Sequence, residues 1–451
     1  MTRVTGPRTW WDGPLDVEGL ALQAVAAVAD ALGALTGKPD RYAVSALATF
    51  AAFNSLGHLR VDGRSPRGFA PLSGFWPTRD GWIRTHGNYP HHRQRLLSAL
   101  RLDPGLSDDD AVGQLSAVLH ELPGDEAERA IQAVGGIAAR VRTPDEWAGT
   151  AMAHAVADEP WIRVEPSSGA GRSWQTRSSA WAPDGDVFRP LTGLRVLDFT
   201  RVIAGPVATR VLGALGAEVL RIDPPSLPEL MDQHIDAGFD KRSALADLSE
   251  PAVLARVREL MAEADVVVSG YRPGAMARFG LDAATLVAEH PHLAVAELDA
   301  WGPAGPWGGM RGFDSIVQAA SGIATIYGSG AGERWRPGAL PCQALDHATG
   351  YGIAAGLIRL LAERRESGCG GRVHMSLART AVELMGLPVP EVTGGPAAKS
   401  GATSSPEPAL RSKTSDFGVL EYVPLPLTID GELLDYRRPP MLPGSAELAW
   451  R

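Results

Sequence analysis

"VLDFTRVIAGPVATRVLGALGAEVLRID" (residues 196–223) holds an apolar run, a turn carrying Ala204-Gly205-Pro206, a helix of small residues and a second apolar run. A short apolar run bounded by turn residues reads as a buried strand, and the segment after the turn carries helical periodicity. Strand, turn, helix and strand in that order open a parallel sheet built from right-handed crossovers. The alternation continues outward from it, with a strand at 194–199, a helix at 205–215 and a strand at 217–222. It goes on with a helix at 251–263, a strand at 265–268, a helix at 282–289 and a strand at 293–298. A long helix is expected over 346–368, with Asp346 as N-cap and Gly368 as its stop. "RVHMSLARTAVELM" (372–385) reads as a short strand entering another helix. The expected fold class is α/β with a parallel sheet.

Residues 1 to about 160 read differently, with helical periodicity in 16–36, 43–55, 94–102, 111–121 and 126–139. In their midst "GFWPTRDGWIRTHGNY" (74–89) alternates around Asp80-Gly81 and predicts a small hairpin. Residues 166–189 are rich in Ser, Gly, Pro and Arg and have no period, which predicts a linker. The chain therefore divides into a mainly helical 1–165, the linker 166–189, an α/β unit 190–392, and a linker with a C-terminal extended segment at 393–451. No tandem repeat is visible.

The chain carries 52 acidic and 43 basic residues, a formal charge of -9, and no dense Lys/Arg block. Nucleic-acid binding is disfavoured, because it needs basic groups to neutralise phosphates. Cys342 and Cys369 lack the paired spacing of a disulfide framework or a zinc site, and a cytoplasmic location is expected. "GLALQAVAAVADALGALTG" (19–37) is Ala-rich and interrupted by Asp30, so it reads as a packed helix rather than a membrane span. The N-terminal residues lack the pattern of a signal peptide. His86, His91 and His92 in "THGNYPHH" do not have the spacing of a metal site, and no metal is expected. "GSGAG" (328–332) neither follows a clear strand nor opens a helix, which argues against NAD.

Several segments match one family in order. "PLTGLRVLDFTRVIAGPVATRVLGALGAEVLRIDPP", "DKRSALADL", "ADVVVSGYRPGAMARFGLD", "RGFDSIVQAASGIATIYG" and "LAERRESGCGGRVHMSLARTAVEL" resemble successive blocks of the class III CoA-transferases. That group includes formyl-CoA transferase and carnitine CoA-transferase, with α-methylacyl-CoA racemase as a relative. "DGWIRTHGNYPHHRQRLLSALRL" (80–102) and "GGIAARVRTPDEWA" (135–148) resemble the small domain of such proteins, which typically follows the nucleotide-fold segment and here precedes it. The resemblance implies a Rossmann-like parallel-sheet domain with a second, smaller, mainly helical α+β domain. It implies coenzyme A bound as acyl-CoA, a carboxylic acid as second substrate, and a homodimer of interlocked subunits.

The turn at Ile203, Ala204 and Gly205 leads into a helix whose first amides are unpaired and favour an anion. Gly205 would permit close approach of a ligand; the alternative is a tight strand-to-helix connection without one. By the resemblance, Gly270, Tyr271, Arg272, Pro273, Gly274 and Ala275 line the CoA path, with Tyr271 as a stacking face and Arg278 as a phosphate partner. Arg278 alone would read as a surface charge on a helix. Arg242 and Arg221 are further phosphate candidates.

The resemblance also implies a carboxylate that attacks the thioester and forms a mixed anhydride. The loop matching the family's nucleophile loop, "YGSGAGERWRPG" (327–338), contains no Asp, and Glu333 is its nearest carboxylate. Asp346, in "CQALDHATG", is the second candidate; it matches the acid/base Asp of the racemase branch and could equally be a plain helix cap. The racemase His is replaced by Phe313, and a phenyl ring cannot carry a proton. Where formyl-CoA transferases carry Gln, this chain has Ile203, so the acyl pocket is expected to be apolar. The expected activity is CoA transfer between an acyl-CoA and a carboxylic acid. The alternatives are an acyl-CoA racemase or epimerase, and a non-catalytic CoA-binding homologue without the nucleophile.

Overall fold

A computed structural model describes residues 2–8, 11–167, 181–388 and 408–451. The greater part of each expected linker lies outside the described residues. Seven strands form the largest sheet: β1 (Arg163–Pro166), β2 (Arg195–Phe199), β3 (Glu218–Asp223), β4 (Lys241–Leu245), β5 (Val266–Ser269), β6 (Ala294–Asp299) and β7 (Gly371–Ser376). Their order is β4-β3-β2-β5-β6-β7-β1. All neighbours are parallel except β1, which closes the β7 edge antiparallel. Val196 of β2 stands opposite Val219 of β3 and Val266 of β5, so the chain reverses its direction of winding between β2 and β5. In open α/β sheets a crevice forms outside the carboxyl ends of the strands at such a point, and ligands bind there.

The central parallel strands are buried on both faces, as parallel strands covered by helices must be. Val196, Val219, Val266 and Val268 share one core with helices 17–36, 204–214 and 344–367. Leu197, Leu220, Ile222 and Val267 share the other with helices 251–262 and 283–289. This is the α/β class that the alternating pattern predicts. The helix 17–36 is long and apolar enough to cross a bilayer, yet Leu20, Val25, Val28, Leu32 and Leu35 are fully buried, packed chiefly against helix 344–367.

The division of the chain differs from the expected segments. The hairpin predicted within 74–89 is present, as strands 75–78 and 81–85 joined by a third strand at 138–140. With helices 90–99, 108–121 and 124–133 it encloses its own small core of Leu72, Trp76, Ile83, Leu97, Leu115 and Ile131. That α+β unit is shorter than 1–165, because residues 17–61 and 147–166 pack into the larger body. Residues 43–45, read as the start of a helix over 43–55, belong to a strand 42–45, because the C-terminal strand 427–429 pairs with it antiparallel. Strand 418–422 likewise pairs with Arg60 and Val61. The C-terminal segment therefore completes sheets begun near the N-terminus.

Candidate active site

The turn after β2 is held by buried polar groups. Asp198, fully buried at the end of β2, accepts hydrogen bonds from the Thr200 amide and the Thr209 hydroxyl and pairs with Lys241 Nζ at 3.1 Å. Lys241 also donates to the Pro206 carbonyl at 2.8 Å, which ties β4 to the first turn of helix 204–214. Between strand and helix Val202 has φ of +70°. A β-branched residue in the left-handed region is strained. Its amide donates to Glu229 Oε2 at 2.9 Å, and Glu229 also accepts from the Tyr89 hydroxyl and pairs with Arg221 at 3.3 Å. Burial pushes the Glu229 pKa up, but the Arg221 and Arg201 charges and these donors outweigh it and hold the carboxyl below its ordinary range.

Asp346 approaches this turn from helix 344–367. Gly350 lets the two helices cross closely: a Cβ there would lie 2.5 Å from the Ala204 carbonyl oxygen and 2.8 Å from Val207 Cβ. Asp346 is the third residue of its helix and not the N-cap, a position held by Gln343. The capping acceptor comes from elsewhere, because the Asp346 amide donates to Asp314 Oδ2 at 3.0 Å. Asp314 is fully buried and also accepts from Gln318 Nε2, whose own oxygen accepts from the Leu340 amide at 2.9 Å. Burial pushes the Asp314 carboxyl up to about 6 despite those donors. Burial, and then the charge of Asp314, push Asp346 well above the ordinary carboxyl range.

Two cavities meet at Asp346. The first, of ≈ 320 Å³, lies at the winding reversal and is lined by Arg95, Arg201, Arg272 and Arg311, with Tyr89 and Tyr271 as ring faces. Arg201 lies over the Tyr89 ring at 4.9 Å and has Glu229 as an acidic neighbour. Arg95, Arg272 and Arg311 form no ion pair with an acid among the described residues. Burial, then the like charges of Arg95 and Arg272, lower the Arg311 pKa, so the cavity holds uncompensated positive charge suited to phosphate. The second cavity, of ≈ 830 Å³, runs between residues 56–88 and the segments 202–203 and 230–233. Val202, Phe313 and Asp346 line both cavities.

Measured against the sequence expectations, the structure brings together part of the predicted set. Ala204, Gly270, Tyr271, Arg272 and Ala275 line the first cavity, and Ile203 lines the second. Gly205 lines neither; a Cβ there would meet Thr200 Cβ at 2.4 Å, so the glycine serves helix–strand packing rather than ligand approach. Pro273, Gly274 and Arg278 are exposed outside both cavities, with Arg278 lying 4.4 Å over its neighbour Phe279. Arg221 is not a phosphate ligand: it is buried against Asp223 at 2.8 Å and Glu229. Arg242 is also committed elsewhere, pairing with Glu218 at 3.1 Å and donating to the Ala449 carbonyl at 2.7 Å. Glu333 is exposed on a loop closed by the Ser329–Arg336 bridge, and it lines neither cavity. Of the two candidate nucleophiles, only Asp346 reaches the site.

Other residues of the site were not singled out as such. The histidines of "THGNYPHH" all reach it: His91 and His92 line the first cavity, and His86 lines the second, its ring stacked on Phe313 at 3.8 Å. An imidazole from the small unit thus lies against Phe313, the residue found where the racemase pattern has His. Burial lowers the His86 pKa to about 3, so this ring is neutral. Its only sequence signal is the density of His and Tyr in "THGNYPHH". Among the described residues no cluster of His, Cys, Asp and Glu is placed to hold a metal ion.

Known proteins match part of the chain. A mycobacterial protein named "Probable fatty acyl-CoA transferase Rv3272" (Mycobacterium tuberculosis) is 33% identical over 215 residues, 45% of this chain and 54% of its own length. The succinyl-CoA:glutarate CoA-transferase of Mus musculus is 32% identical over 214 residues, 45% of this chain and 48% of its own. The formyl-CoA:oxalate CoA-transferase of Bradyrhizobium diazoefficiens is 31% identical over 208 residues, 44% of this chain and 48% of its own. A crystal structure of Rv3272 superposes with a TM-score of 0.41 at 33% identity, covering 44% of this chain and 57% of that one. The chain spans about half the length of these curated relatives. Residues 191–411 match the profile of CoA-transferase family III.

Proposed function

We propose that the protein transfers CoA between an acyl-CoA and a carboxylic acid, with Asp346 as the nucleophile. One observation carries this reading: the buried Asp346 carboxyl stands where an arginine-lined cavity meets a larger one. CoA phosphates enter the first among Arg95, Arg272 and Arg311, the adenine has Tyr89 and Tyr271 as faces, and the acyl group enters the second. The thioester carbonyl then lies beside Asp346, near the first turn of helix 204–214, whose amides carry positive partial charge toward a developing oxyanion.

The ionised Asp346 oxygen attacks the thioester carbon, the C–S bond breaks, and CoA leaves as a thiolate among the arginines while a mixed anhydride forms. The thiolate attacks the aspartyl carbonyl, which releases the first carboxylate and leaves an aspartyl-CoA thioester. The acceptor carboxylate attacks that thioester, forms a second anhydride and frees the thiolate again. Return of the thiolate to the acceptor's acyl carbon yields the new acyl-CoA and restores Asp346. One thioester replaces another, with no net consumption of protons or electrons. Desolvation favours the attack, because a carboxylate stripped of water is the better nucleophile once ionised.

Hydroxylamine added during turnover tests this. The expected result is a hydroxamate at Asp346, absent in Asp346→Asn and unchanged in Glu333→Gln. CoA binding with no modification at any acid would overturn it and favour a non-catalytic homologue. The position of His86 beside the Asp346 cavity supports a second reading, proton exchange at the α-carbon of an acyl-CoA. Deuterium uptake from heavy water without an acceptor acid, abolished in His86→Phe, would favour it over transfer.

A further inference from the structure

The second cavity differs in kind from the first. Leu56, Phe69, Pro71, Ile203, Leu230 and Met231 supply an apolar wall. Phe69 and Met231 are 50% and 48% exposed, so a bound apolar chain would cover them. At ≈ 830 Å³ the cavity lies in the range of roughly 300–1,000 Å³ typical of pockets that enclose whole drug-sized ligands. An oxalyl or succinyl group would leave most of that apolar wall wet.

Its charged groups stand at the mouth. Arg64 is neutralised by Asp232 at 2.7 Å, and Arg67 and Asp108 are exposed. Among the described residues that line this cavity the arginines are Arg64 and Arg67, and the acid at the reactive end, Asp346, would repel a second carboxylate. What the inner wall offers is neutral. Ser315 follows Asp314, the residue that holds the Asp346 amide; it is 5% exposed, lines the cavity, and its Oγ is buried without a hydrogen-bond partner. The neutral His86 ring lines the same wall. A buried hydroxyl without a partner is unfavourable by itself, and a substrate hydroxyl or carbonyl would satisfy it.

We infer that the second cavity selects a bulky, largely apolar acyl group bearing a neutral hydrogen-bonding substituent, hydroxyl or oxo, within the first few carbons of the thioester. Ser315 is the residue that reads the substituent, and Met231 and Phe69 cover the distal chain. The inference rests on the reading of Asp346 as the reacting group, and it excludes short dicarboxylic acyl groups as preferred substrates.

The test compares acetyl-, succinyl-, decanoyl- and 3-hydroxydecanoyl-CoA by kcat/KM for transfer of CoA to one fixed acceptor acid. The hydroxydecanoyl thioester should lead, decanoyl should follow, and acetyl and succinyl should trail. Ser315→Ala should lower the hydroxydecanoyl-to-decanoyl ratio about tenfold, the usual scale for one hydrogen bond to a substrate hydroxyl. Because Ser315 Oγ bonds nothing else, its removal leaves folding unburdened. Met231→Trp should move the chain-length optimum to shorter acyl groups. A preference for succinyl-CoA, or an unchanged ratio in Ser315→Ala, would overturn the inference. Calorimetric binding of the same four thioesters to Asp346→Asn separates the two readings. The predicted affinity order without turnover in the wild type sinks the transfer reaction and keeps the cavity's specificity, whereas turnover with the reverse order does the opposite.

Discussion

Asp314 and Asp346 form one buried acidic pair, and the charge of the first raises the second. Asp314→Asn should therefore let Asp346 ionise at lower pH, moving the acid limb of a kcat/KM profile for CoA transfer downward. Stability should respond with a definite sign. The folded Asp314 pKa, about 6, lies above its unfolded value, so the native state binds more protons between about pH 4 and 6 and stability falls as pH rises through that window. Asn has no titration and one oxygen for two donors, which costs about 1–3 kcal/mol. Urea titrations should therefore show a deficit at pH 4 that narrows toward pH 7; a constant deficit would contradict the pairing. Val202 supplies a second prediction. Val202→Gly relieves a left-handed β-branched residue, worth about 1–3 kcal/mol, against about 0.5–1 kcal/mol of added chain entropy. A modest rise in melting temperature with slower CoA transfer is expected, and a fall in melting temperature would mean that the turn is not strained. At this scale Asp346 was legible because it opens a strongly marked helix. The first cavity's arginines were only partly so, because Arg95, Arg201 and Arg311 lie in separate segments and only the fold brings them together. Arg221 and Arg242 misled because an arginine in a strand reads the same whether its partner is a phosphate or a buried carboxylate.

Strand and helix identities in 194–299 were readable because each parallel strand is a continuous apolar run, and such runs alternate with helices of distinct period. The elements that escaped are those whose partners are remote. Residues 43–45 follow a helical pattern locally and become part of a strand only beside 427–429. Helix 344–367 shows why packing, rather than amphipathic pattern, determines the site. It is buried nearly all round over its first half, and its contact with helix 204–214 depends on Gly350. Gly350→Ala would bring a methyl within 2.5 Å of the Ala204 backbone oxygen, which cannot swing aside as a side-chain tip can. Overpacking of this kind costs about 1–3 kcal/mol, and relief requires the two helices to separate one turn from Asp346. Such a displacement, on the order of 1 Å, can cost roughly a hundredfold in rate. The variant should therefore lose activity beyond its loss of stability. Activity per folded molecule equal to wild type would show that the crossing does not set the geometry of the site.

The whole chain folds as interleaved halves. Helix 17–36 seals helix 344–367, β1 from residues 163–166 closes the edge of the large sheet, and strands 418–422 and 427–429 return to residues 42–61. The cavities inherit this arrangement, because His86, Tyr89 and Arg95 come from the small unit while Asp346, Arg201 and Arg272 come from the large one. A chain cut at the composition shift near residue 180 should accordingly fail in both parts. Residues 181–451 alone would expose the face of helix 344–367 that Leu20, Val25, Val28, Leu32 and Leu35 cover. Each such side chain contributes about 1.5–3 kcal/mol on burial, so their joint loss is comparable with the roughly 5–15 kcal/mol that holds a typical domain together. The fragment should lack a cooperative thermal transition and bind a hydrophobic dye, and co-expression with residues 1–167 should restore a single sharp melt and CoA binding together. A sharp melt of residues 181–451 by itself would show that the large sheet is an independent domain, and CoA binding by that fragment would show that the arginine cavity does not need Arg95.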